Sequence, residues 1–221
     1  MKHKQTLRRS VIISAGILFA VYAAYNVFII IRDGEMLPAG GALISALVAL
    51  LFGVLAVFAL TSAASASAAK SVAAPASAKS SGKSIVKKVR FIEVRSMAFN
   101  VALLMIFLLK LRMAGQVTAY LDFTQIHTVL YSIAYLMTQI ALLALFVNYA
   151  FVQKNLPFYP RASAILPLSA LILFVCSFAL EVILFFVYGI GLEASQLRTL
   201  VIRPVFYLGF ICLSAYFYLR R

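Results

Sequence analysis

The sequence predicts an all-α, polytopic membrane protein of six transmembrane helices with both termini cytoplasmic, and three observations carry that prediction. Charge-free apolar runs extend from Arg9 to Arg32, Glu35 to Lys70, Arg95 to Lys110 and Asp122 to Lys154, with further runs after Arg161 interrupted by Glu181 and Arg203. About 20 apolar residues in a helix match the roughly 30 Å hydrocarbon layer, and a helix satisfies its own backbone polar groups there. Composition agrees: 64% of the 221 residues are hydrophobic and the mean hydropathy is +1.03, which leaves little chain for a soluble domain. The Lys and Arg residues lie between the apolar runs. There a net charge of +14 orients helices and meets anionic headgroups. The expected partner is therefore the lipid bilayer and not nucleic acid.

The predicted spans are 10–31, 39–61, 92–112, 125–152, 163–188 and 199–219. The first follows MKHKQTLRRS, a charged start like that of a signal peptide, but its run reaches Ile31 without a small-x-small cleavage site. It reads as a retained helix. Between the second and third spans, residues 62–84 are almost all Ala, Ser and Lys, which bury too little surface to fold alone and predict a cytoplasmic linker. Ile85, Val86, Val89 and Ile92 then recur at helical spacing among Lys87, Lys88, Arg90 and Arg95. That pattern fits a basic ramp into the third helix, or a surface helix that docks a partner. The expected organisation is a hairpin over 1–61, a linker and basic segment over 62–91, and a four-helix region over 92–221. Arg95 and Lys110 at the ends of the third span are expected to carry their charges to the headgroups on apolar stems. Pro204 is expected in the first turn of the sixth helix, where its missing N–H costs little.

Orientation follows from the charges. With the N-terminus inside, fifteen of the twenty Lys and Arg residues fall on the inner side. The outer side holds only Arg32, Lys110, Arg112, Arg198 and Arg203, with Asp33, Glu35, Asp122 and Glu193. Basic loops stay in the cytoplasm. A plasma (inner) membrane setting with cytoplasmic termini is the expectation.

Glu181 is the only carboxylate inside an apolar run, and an intramembrane charge needs a partner or water. It lies seven residues before Tyr188, which places it about 10 Å below a helix end at Tyr188. Arg203 enters the next helix at comparable depth, so a Glu181–Arg203 pair is expected, acting as a structural clamp or as part of a transport site. Asn100, Asn148, Thr138 and Gln139 form a looser polar set, expected to make interhelical hydrogen bonds or to line a small-solute site. Gly41, Ser45, Ala49 and Gly53 on the second helix, and Gly16, Ala20 and Ala24 on the first, recur every four positions. They predict flat faces where helices approach closely. The first-helix face is similar to that of the substrate-binding subunits of energy-coupling-factor vitamin transporters, but GxxxA is common in membrane helices and assigns no family.

Several chemistries are set aside. SSGKS at 80–84 has Ser77 where a phosphate-binding loop needs its first glycine, and VYGIG at 187–191 departs from the order of a potassium filter. His127 has no second ligand at metal spacing, and Cys176 and Cys212 lack CxxC or Cys/His spacing, so neither metal nor cofactor is expected. No intramembrane protease or phosphatase motif is present, and an enzyme is not expected. Two classes remain: a transport-system component, either a substrate-binding membrane subunit or a small permease, with an ATPase or another membrane subunit as partner; or a membrane interaction, regulatory or scaffold protein.

Overall fold

In a computed structural model the described residues form six α-helices: α1 Lys2–Asp33, α2 Ala39–Ser71, α3 Gly82–Ala119, α4 Ile126–Val147, α5 Ala162–Tyr188 and α6 Ala194–Leu219. A π-helical turn, Asn148–Val152, extends α4. The structure describes residues 2–33, 39–71, 82–119, 124–153, 155, 157–188 and 194–220; in the helices, side chains are described for 4–32, 40–64, 93–112, 126–152, 162–188 and 202–219. Six helices, within Lys4–Arg32, Gly40–Ala64, Glu93–Arg112, Ile126–Val152, Ala162–Tyr188 and Ile202–Leu219, are long and apolar enough to cross a membrane. The chain is a multi-pass helical membrane protein.

The helices outrun their apolar segments. α1 begins at Lys2, α2 continues to Ser71, and α3 begins at Gly82 without a break at residue 92. Much of the stretch expected as linker is thus helical at both ends, while residues 72–81 lie outside those described. The cause is local: Ala, Lys and Arg are strong helix formers, so the helix persists after hydropathy has fallen. α6 likewise starts at Ala194, which puts Pro204 inside the helix rather than in its first turn. Its ring denies the preceding turn one backbone hydrogen bond.

Each helix packs against its neighbours in the chain, and α6 closes the ring against α1. Arg8 near the start of α1 lies over the Tyr216 ring near the end of α6, 5.4 Å from its centroid, so the two termini share one end of the bundle. Aromatic side chains fill the centre. Phe19 of α1 meets Phe52 of α2 and Phe210 of α6 edge to face, at 5.7 and 5.1 Å between centroids, and Phe174 of α5 stacks on Phe210 at 5.3 Å. Nearer the terminal end, Phe58, Phe99, Tyr149 and Phe217 form a second cluster. Leu43, Met97 and Phe186 are exposed on the outside, as a surface solvated by acyl chains requires.

Among the described residues, Gly16 and Gly209 make close approaches. A Cβ on Gly209 would come within 2.7 Å of the buried Phe19 ring, and one on Gly16 within 2.9 Å of Leu60. The long flat faces expected from spacing are only partly used: Gly16 is buried, but Ala20 and Ala24 are exposed. On α2, Ala49 is buried, Gly41 and Ser45 are half-buried, and a Cβ on Gly53 would meet nothing within 4 Å. Four residues overshoot a 3.6-residue turn by about 40°, so a four-residue repeat winds out of the interface.

Candidate functional site

Four helices bring polar side chains together towards the end of the bundle opposite the termini. α4 contributes Tyr131, Tyr135 and Thr138, α5 contributes Ser177 and Glu181, α6 contributes Arg203 and Tyr207, and α3 contributes Lys110. On α4 the residues recur at four- and three-residue intervals, and Ser177 and Glu181 on α5 and Arg203 and Tyr207 on α6 are each four apart, so each set lies along one helix face.

At the centre, the Tyr207 hydroxyl donates to Glu181 Oε1 at 2.8 Å. Arg203 Nη1 lies 3.5 Å from Glu181 Oε2, and Nη2 donates to the Tyr131 hydroxyl at 3.2 Å. The expected Glu181–Arg203 juxtaposition is therefore present, with two tyrosines that the sequence reading had not singled out. Behind Tyr207, Thr138 Oγ1 and Ser177 Oγ lie 2.8 Å apart and each is 3.1 Å from the Tyr207 hydroxyl. Ser177 Oγ also donates to the Ala134 carbonyl at 2.6 Å. Every donor here has an acceptor: Tyr207 donates to Glu181, Ser177 donates to the Ala134 carbonyl, and Thr138 donates either to that carbonyl, 3.1 Å away, or to a neighbouring hydroxyl. The result is a closed, buried link between α4, α5 and α6.

Lys110 departs from expectation. Its ammonium does not extend along the surface but lies 4.6 Å from the Phe206 ring centroid and 5.5 Å from that of Tyr135. There it interacts electrostatically with Glu181 and Arg203. The reason is geometric: Lys110 stands on the side of α3 that faces the ring interior, where aromatic faces offer a cation a favourable contact. Arg95 also turns inward, donating to Thr61 Oγ1 at 3.2 Å and lying over the Phe58 ring.

The amides are not placed as interhelical hydrogen-bonding pairs. Gln139 and Asn148 are 4% and 0% exposed, yet both polar atoms of each lack a protein partner, as does Asn100 Oδ1. Neither Asn100 nor Asn148 makes a hydrogen bond to the Glu181 cluster. Asn148 opens the π-helical turn, where the backbone register shifts by one residue; π-turns occur mostly as local bulges and frequently at functional sites. His127 packs its ring against Tyr188 at 5.7 Å, and among the described residues no group of three His, Cys, Asp or Glu could hold a metal.

Tyr207→Phe isolates the hydroxyl's contribution while keeping the ring. It should lower thermal stability by about 1–2 kcal/mol, because Glu181 Oε1 loses its donor and Thr138 loses a partner; detergent-solubilised melting measurements check this.

Comparison with known proteins finds no family model, no curated protein and no solved structure that matches this chain.

Proposed function

We propose that this chain is the membrane component of a transport system, either a substrate-binding membrane subunit or a small permease, with its solute site at the junction of α3, α4, α5 and α6. The observation that supports this reading is the cluster of Lys110, Glu181 and Arg203 with five hydroxyl side chains inside membrane-spanning segments. Ionisable groups are costly in a bilayer and concentrate along substrate and ion pathways. Both termini are cytoplasmic in the plasma (inner) membrane, and the basic 85–95 segment or α1 meets an ATPase or energising subunit. The site then lies in the outer half of the membrane.

Purification in mild detergent from the native host, followed by mass spectrometry, tests the proposal. An ATPase or energising subunit in stoichiometric amount is the expected result. Its absence, together with no solute uptake in proteoliposomes, would overturn it. An alkaline phosphatase fused after Arg221 should be inactive and a fluorescent protein at the same point bright; the reverse would refute the orientation.

One observation favours a second reading, a membrane interaction, regulatory or scaffold protein. Both Glu181 oxygens already have protein partners, as a purely structural clamp would require. In that case a different membrane protein should co-purify, and Glu181 should matter for assembly alone.

A further inference from the structure

We infer that Lys110, Arg203 and Tyr135 form a binding site for an oxyanion, a carboxylate or phosphate group carried by a small solute or by a lipid headgroup. This deepens the transport reading and rests on it for the site's role, though not for its chemistry.

The cluster carries a surplus of positive charge and of donors. Two cations, Lys110 and Arg203, stand in a cluster whose one carboxylate is Glu181, and only Arg203 is in ion-pair contact with it. That carboxylate's oxygens are taken by Tyr207 and Arg203. Lys110 has ring faces but, among the described residues, no hydrogen-bond acceptor. An uncompensated charge in a water-poor interior is strongly unfavourable, and a ring face offsets only part of that.

The neutral groups point the same way. The Tyr135 hydroxyl is buried and unpartnered, on the ring that Lys110 covers. Tyr131 accepts from Arg203 and so keeps its own proton to donate. One turn along α4 from Tyr135, Gln139 is buried with both amide atoms unpartnered, a donor and an acceptor for the body of a ligand. A cation would meet repulsion here. An oxyanion would supply the missing charge and accept from Lys110, Arg203 and Tyr135 in charge-assisted bonds. Arg203 is the more exposed member of the pair, its side chain 43% exposed against 10% for Glu181.

The test uses the full chain, purified in an uncharged detergent and exchanged free of native lipid, with melting followed by tyrosine fluorescence. The probes are sodium acetate, sodium phosphate and micelles doped with phosphatidylglycerol, each against sodium chloride at equal ionic strength. A saturable rise in melting temperature is expected. Lys110→Met should weaken the apparent affinity about 10- to 100-fold, the value of one charge-assisted hydrogen bond. Glu181→Gln removes the competing carboxylate and should tighten it about tenfold. This second variant carries the test if Lys110→Met does not fold.

Saturation by acetate or phosphate identifies a free solute as the source, and saturation by phosphatidylglycerol alone identifies a lipid headgroup. No saturable response, or a linear rise shared equally by Lys110→Met and therefore due to salt exclusion, overturns the inference. Anion binding without an energising subunit or uptake would leave the site standing and remove the transport reading. Uptake of a solute with no anion binding would do the opposite.

Discussion

Glu181→Ala should be the most damaging single substitution in the polar cluster, lowering the stability of the folded chain by about 3 kcal/mol. This is the lower end of the range for breaking a buried ion pair, because Arg203 remains partly exposed. Two effects add. Arg203 loses its ion-pair partner, and the Tyr207 hydroxyl loses its acceptor while Thr138 and Ser177 remain beside it. Glu181→Gln keeps a carbonyl oxygen for Tyr207 and should cost less, about 1–2 kcal/mol. Melting in detergent and the yield of monodisperse protein measure both. Wild-type stability of the two variants, with solute uptake abolished, would show that Glu181 acts on the solute and not as a clamp.

Gly209→Val should destabilise the bundle by about 2–3 kcal/mol without touching any polar group. The Gly209 backbone lies against the ring of Phe19, which is itself wedged between Phe52 and Phe210. A side chain there can be admitted only by moving a ring that has no free space. Gly16→Ala is the informative control. Its Cβ would meet Leu60 Cδ2 and Cγ at 2.9 Å and Ala59 Cβ at 3.3 Å; Leu60 is 42% exposed and can shift, whereas Ala59 is fully buried and its Cβ is fixed by the backbone. Alanine gains helix propensity, which offsets part of that crowding, so this variant should lose about 1 kcal/mol, less than Gly209→Val. Equal losses at the two glycines would mean that α1 meets α2 as tightly as it meets α6.

The difference between these glycines shows where sequence reading stops. Gly16 stands out because it begins a small-residue repeat, whereas Gly209, in YLGFI, belongs to no repeat. Its importance comes from Phe19, 190 positions away in the chain. The polar cluster divides in the same manner. Glu181 and Arg203 were legible because a charge inside an apolar run has few alternatives to pairing. Tyr131, Tyr135 and Tyr207 were not, since tyrosine is equally at home in an aromatic core and at an interface. Lys110 was misread for a related reason: a lysine at a span's end reaches headgroups or bundle interior with the same stem, and only the side of the helix it occupies decides between them.

By itself, the sequence determined that the chain crosses the membrane as helices, how many crossings it makes and where their apolar parts lie. Hydrocarbon thickness and the cost of an unpaired backbone group act on each segment independently, so a local pattern suffices. Only the tertiary structure decided that α6 closes on α1, that Phe19 fills the space left by Gly209, and that Lys110 turns in over the Phe206 and Tyr135 rings. Those outcomes depend on the rotation of each helix about its axis and on neighbours far away in the chain, and apolar faces that all suit lipid leave that rotation to side-chain packing.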